Sequence, residues 1–229
     1  LTSVQVQGSA GSSMALDVDG DGSSDKNVTL SHGLEARARN DALAIAGAGG
    51  LTVGTGKSAG LGGAFTWNQL GKITQAGVAN TSLTLTHGGN VLLDAYNTGP
   101  MWSVAVGVAT GNKVGAAGSV SYSDIDNETS TSISASGVDT DGSVTLTSLD
   151  ESDIRSVAGA ASYGGKAGFG AAVAISTVQS DTVAEITTTA AKPRTVRGGA
   201  GVSASATSDS DIVSVAAALS ASQGVAVSG

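Results

Sequence analysis

The sequence predicts an all-β fold, a parallel β-solenoid or β-helix with coils of about 28 residues. Three observations predict it. Short phrases recur in fixed order at two intervals, a long one of about 55 residues and a short one of about 28 residues. Polar and apolar residues alternate with the period of a strand, and no window carries an apolar stripe of helical spacing. Glycine is abundant (34 of 229 residues) while aromatics make up 3%. That composition suits a narrow interior of small side chains rather than an ordinary globule.

The long interval comes from three phrases. Ser103-Val104-Ala105 returns at Ser156-Val157-Ala158 and again at Ser214-Val215-Ala216. Val91-Leu92-Leu93, Val144-Thr145-Leu146 and Val202-Ser203-Ala204 keep the same register, each opening a constant distance ahead of the first phrase's valine. Ala64-Phe65-Thr66-Trp67, Ser119-Val120-Ser121-Tyr122 and Ala172-Val173-Ala174-Ile175 recur with nearly the same spacing. The short interval comes from polar breaks near Asp41, Gly71, Thr98, Asp126, Asp153, Asp181 and Asp211, which follow one another at almost constant separation. A cysteine-free unit of that length is too small to fold alone, so the units stack.

Strands are expected where alternation is strict, as in residues 143–148, 202–207, 119–122 and 182–187. Turns are expected at Gly49-Gly50, Gly88-Gly89, Asp141-Gly142, Gly164-Gly165 and Gly198-Gly199. Stacking places Phe65, Val120 and Val173 in one inward column and Trp67, Tyr122 and Ile175 in the next, members lying two coils apart. Eight coils at a strand spacing of about 4.8 Å would make a rod on the order of 40 Å long. Residues 1–33 read as an opening coil with an Asp/Gly-rich loop, and 34–229 as one continuous stack, a segment of a longer protein.

Composition also excludes. A formal net charge of −8 disfavours nucleic acid and anionic membranes as partners. No run of about 18 apolar residues exists, so no direct membrane insertion is expected. Zero cysteine removes disulfides, zinc–thiolate sites and thiol catalysis.

Ser152-Asp153-Ile154-Arg155-Ser156-Val157-Ala158-Gly159 and Ser210-Asp211-Ile212-Val213-Ser214-Val215-Ala216-Ala217 resemble passenger repeats of bacterial filamentous surface adhesins. The segment from Gly164 to Ala174 is similar to the same repeats, which occur in autotransporter, two-partner-secretion and leukotoxin-like filamentous proteins. The resemblance covers residues 34–229. It implies a right-handed β-helical stalk on the bacterial cell surface that holds a binding region away from the cell. Its implied partners are neighbouring repeats of the same chain and glycans or proteins of a host or neighbouring cell.

The sharpest local motif is Asp17-Val18-Asp19-Gly20-Asp21-Gly22-Ser23-Ser24-Asp25. Asp17, Asp19, Asp21, Ser23 and Asp25 supply alternate oxygens on a tight turn, the front of a calcium loop. Val28 stands where the bidentate acid belongs, and an Asp/Gly-rich solvated turn is the competing reading. If Ca²⁺ is bound here as a structural ion, EDTA lowers the melting temperature and Asp19→Ala removes that sensitivity. A melt unchanged by both treatments refutes the site.

Other motifs read as structure. Asp139-Thr140-Asp141-Gly142 reads as a turn, and Asp124, Asp126 and Glu128 as a solvated edge near a coil corner. Arg37 and Arg39 read as a solvated outer face. His32 and His87 precede glycines in turns. Gly54-Thr55-Gly56-Lys57-Ser58 approaches a phosphate loop but has Leu51 where the first glycine belongs. Trp67, Trp102, Tyr96 and Tyr122 compose a candidate sugar-stacking platform, but the column assignment gives Trp67 and Tyr122 to the core and leaves Trp102 in a turn near Pro100. No Gly-x-Ser-x-Gly elbow is present. The expected role is therefore structural and not enzymatic. The alternatives are a polysaccharide-active β-helix enzyme, or a glycan- or ice-binding rod.

Overall fold

The computed structural model describes residues 27–55, 59–188 and 194–229. Thirteen strands account for its regular structure, and among the described residues there is no helix. The first coil holds β1 (Asn27–Leu30), β2 (Leu34–Asp41), β3 (Ala44–Val53) and β4 (Gly60–Ala79). The second holds β5 (Ser82–Leu85), β6 (Val91–Gly111) and β7 (Val114–Ser134). The third holds β8 (Gly137–Thr140), β9 (Ser143–Gly164) and β10 (Ala167–Thr187), and the last β11 (Val196–Gly198), β12 (Gly201–Ser222) and β13 (Val225–Ser228).

Every ladder is parallel and joins equivalent strands of successive coils, so the chain is a parallel β-solenoid. It has three walls. A short corner wall is β1-β5-β8-β11, one long wall is β12-β9-β6 with β2 and β3, and the other is β13-β10-β7-β4.

The coil length differs from the sequence expectation. Phe65 pairs with Val120, and Val120 with Val173, so the long interval is one whole coil and column members lie on adjacent coils. The short interval is one wall, half a coil. Both long walls alternate over 20 to 22 residues with a polar patch near the middle, which makes them look like equivalent units. The polar breaks therefore fall inside long strands, as at Asp126 in β7 and Asp153 in β9, and not at corners. The described residues form four coils where eight were expected for the chain, a stack on the order of 15–20 Å high. Four of the five expected glycine turns separate strands; Gly49-Gly50 lies within β3.

The cross-section is a wedge, and the side chains explain why. At the corner wall the long walls are held apart, and Leu34, Leu83, Leu93, Leu146, Ile133 and Val138 fill the gap, each almost fully buried. Burying such a side chain contributes roughly 1.5–3 kcal/mol, so this end carries most of the hydrophobic stabilisation. At the opposite end the described residues form no third wall. The long walls meet in tight arches at residues 111–114, 164–167 and 222–225, and the space between them holds alanine, glycine and serine. A Cβ placed on Gly107 would run into the Gly118 carbonyl oxygen of the facing wall, and one on Gly115 into that of Tyr163. The expected close approach of Ala/Gly stretches is thus present.

That narrowness overturns the inward assignment of the two aromatic columns. Phe65 and Trp67 are 58% and 61% exposed, and Val173 and Ile175 also face outward. Their strand neighbours Thr66, Ser119 and Ser121 take the interior instead. A ring cannot fit where two backbones are separated by little more than a methyl group.

Candidate functional site

Two places concentrate chemistry: a buried polar cluster at mid-wall, and the outer face of β4, β7 and β10. The first begins with strand alternation, which turns Asn97 of β6 and Asp150 of β9 inward from one wall and Lys72 of β4 and Asn127 of β7 inward from the other. Asp150 is fully buried. Its carboxylate accepts from Asn97 Nδ2 (2.6 Å), from Asn127 Nδ2 (3.1 and 3.4 Å to its two oxygens) and from the Thr129 hydroxyl (3.2 Å). The hydroxyls of Ser152 and Ser180 donate at 2.7 and 2.9 Å. These donors come from both long walls and from adjacent coils, so one carboxylate ties the two walls together.

Lys72 is the cationic member of this layer. Its ammonium donates to the Thr98 carbonyl at 3.0 Å. Burial pushes its pKa below the ordinary 10.5, while Asp150 and Asp41 pull the other way. The native state therefore gives up this proton at lower pH than the unfolded chain. Wherever the unfolded chain holds more protons, stability rises with pH. Unfolding free energy of the wild type minus that of Lys72→Met is accordingly expected to climb from neutrality towards pH 10.5, measured by urea melts at stepped pH. A flat difference would contradict the burial of a charged lysine.

Closer to the arches the interior is linked by hydroxyls. Ser121 bonds to Ser103 (2.6 Å), Ser156 (2.8 Å) and Thr66 (3.1 Å), bridging the walls again. These groups satisfy one another in a space too thin for large apolar side chains.

The outer face of β4, β7 and β10 carries Phe65, Trp67 and Tyr122, with Trp67 stacked on Tyr122 at 4.4 Å and Phe65 6.4 Å from Trp67. A shallow groove at Gly63, Gly118 and Ala171 runs beside the ridge of Phe65, Val120 and Val173. On the other side the Gln69 amide donates to Asp124 at 3.3 Å. Two members of the sugar-stacking platform are thus on the surface together, but Trp67 and Tyr122 turn ring faces towards each other along the stack. The other two members lie on the opposite long wall. Trp102 sits in the middle of β6 and not in a turn, with the Arg155 guanidinium 5.1 Å from its ring centre. Tyr96 lies under Arg39 at 4.9 Å and donates to Glu151 at 2.8 Å. The bond to Glu151 raises the Tyr96 phenol above its ordinary value.

The remaining sequence candidates are dispersed. Arg37 and Arg39 project from the outer face of β2 and pair with Glu35 (2.6 Å) and Asp41 (3.2 Å). Asp139 and Asp141 flank the corner turn, where Arg197 reaches them at 2.9 and 3.5 Å. Asp124, Asp126 and Glu128 lie on the outer face of β7 at mid-wall rather than near a corner. His32 and His87 occupy equivalent corner turns, His87 with a φ of 64°. Asp17, Asp19, Asp21, Ser23 and Asp25 lie outside the described residues, as do Gly56, Lys57 and Ser58 of the near phosphate loop. Among the described residues no group of three or more His, Cys, Asp or Glu is placed to hold a metal ion, and no helix is long and apolar enough to cross a membrane.

The Asp150 cluster carries no sequence motif. Its only signal is positional: Asp150 stands at an inward place in the alternation of Leu146, Ser148, Ser152 and Ile154, with Asn97 one coil earlier. Comparison with family models, with curated proteins and with solved structures found no match to this chain.

Proposed function

We propose that this chain is a structural segment of an exported bacterial surface adhesin, a stalk that supplies reach and rigidity for a binding region. The observation that carries the reading is the uninterrupted register of the long walls. β12 follows β9 through 22 residues with no slip, and β10 follows β7 through 21. A wall of this kind is rigid because each rung is bonded to the next along its whole length. It also extends without redesign. Among the described residues β12 is an edge strand, and its inward-type residues Ala204, Ala206 and Ala216 are exposed. The stack offers repeated, near-equivalent levels, as a spacer needs, and further coils of the same kind are its natural neighbours.

Electron microscopy and X-ray scattering on chains carrying increasing numbers of flanking repeats test this. Rods that lengthen by about 4.8 Å per added coil support it. Particles that stay compact as repeats are added overturn it. Surface labelling of intact cells tests export separately. A second reading, glycan binding, draws on the exposed Trp67 stacked on the half-buried Tyr122, and a glycan array with and without Trp67→Ala decides it.

A further inference from the structure

The net charge of −8 conceals a division across the wedge. Among the described residues, five stretches build its thin half: 42–55, 59–68, 101–123, 155–180 and 212–229. They contain Lys113, Arg155 and Lys166 and no acidic residue. All 15 Asp and Glu among the described residues, with the other five described basic residues, lie in the wide half. The thin half is therefore cationic and the wide half strongly anionic.

The thin half is also apolar on the outside. On the wall of β3, β6, β9 and β12 the outward positions include Ile45, Leu51, Trp102, Val106, Val157 and Tyr163. Val106 and Val157 are 40% and 41% exposed although a strand pairs on each side of theirs, so further coils would not cover them. Along the strands this band spans about 27 Å, and across the four strands about 15 Å. Its ends are marked by polar-tipped groups: Trp102 beneath Arg155 at one, and Tyr163 beside the lysine-bearing arches at the other. In the arches Lys113 and Lys166 are stacked, the Lys166 amide donating to the Lys113 carbonyl at 2.8 Å.

A footprint of roughly 400 Å² is about half of what each partner contributes to a stable protein pair. It is ample for shallow contact with acyl chains, where apolar side chains sink a few ångströms and aromatics with cations sit at the headgroups. Free of carboxylates and edged by Lys113, Lys166 and Arg155, the band matches a negatively charged lipid surface in both respects. We propose that the outer face of β3, β6, β9 and β12, over its thin half, lies on anionic lipid. The chain rests on the surface there without crossing it. The opposite long wall is less suited, because β7 carries Asp124 directly after its outward Tyr122, whereas β9 places Arg155 between its apolar strip and Asp153.

The test is co-sedimentation with vesicles of phosphatidylcholine alone and of phosphatidylcholine mixed with phosphatidylglycerol, using a Trp67→Phe background so that emission reports Trp102. The expected result is partition onto the mixed vesicles only, a blue shift of Trp102, and weakening as salt is raised. Val157→Asp is expected to abolish partition, and Val173→Asp on the opposite wall to leave it intact. Lys113→Glu with Lys166→Glu lowers partition by about tenfold or more. These two lysines lie in turns, so this pair reads the charge requirement even if an aspartate in the wall unfolds the chain. Equal partition onto uncharged vesicles, equal loss with Val173→Asp, or no partition at all overturns the proposal. So does concentration-dependent self-association that Val157→Asp suppresses in the absence of lipid binding, since the face would then belong to a second copy. None of these outcomes depends on whether the chain is a stalk, which rod length decides.

Discussion

Asp150→Ala is expected to destabilise the fold by about 3–5 kcal/mol, read as a fall in urea midpoint at unchanged slope. The carboxylate is fully buried and accepts from Asn97, Asn127, Thr129, Ser152 and Ser180. Alanine leaves those donors facing one another in a space water reaches poorly, and each unsatisfied buried group costs about 1–3 kcal/mol before relaxation. Lys72 loses its buried counter-charge as well. Asp150→Asn keeps the shape but sets an amide against other donors, so an intermediate loss is expected. If Asp150→Ala melted like the wild type, the carboxylate would not be what joins the walls.

Gly107→Ala is the second large effect, a loss of about 3 kcal/mol or more, at the upper end of the cost of overpacking. The added methyl meets the Gly118 carbonyl oxygen on the facing wall, and backbone cannot swing aside as a side chain would. The walls would have to separate through several rungs of each ladder. Gly118→Ala supplies the control. Its Cβ points outward, 4.0 Å from the nearest atom, the Ala171 carbonyl oxygen. A strand glycine changed to alanine without a clash is neutral or slightly stabilising. The pair separates steric thickness from glycine's backbone freedom, since both are glycines in long strands.

The same contrast shows what the sequence made legible. Strand type, parallel stacking and register followed from phrases such as those holding Val104, Val157 and Val215, because in-register stacking puts like residues on like rungs. The coil length did not follow, since the two long walls share length, alternation and a polar middle. Facing did not follow either. Alternation separates residues into two sets without saying which is inside, and the usual preference for apolar interiors chose the set of Phe65 and Trp67. The deciding signal was in the other set: Gly60, Gly62, Gly115, Gly168 and Gly107 mark the side where backbones meet. The Asp150 cluster was missed because its members are far apart along the chain and form no motif until the walls are folded together.

The constant register has a kinetic consequence. Every rung of the long walls joins residues one coil apart in the chain, and that separation is nearly the same wherever the rung lies in the stack. Closing such a loop costs about 3.5 kcal/mol plus a constant by chain statistics, and that cost does not grow as the stack lengthens. The first coil pays it without a template; each later coil is laid down on an edge already formed. Assembly should thus resemble crystal growth from a seed, slow to start and steady afterwards, advancing from whichever end of the chain emerges first.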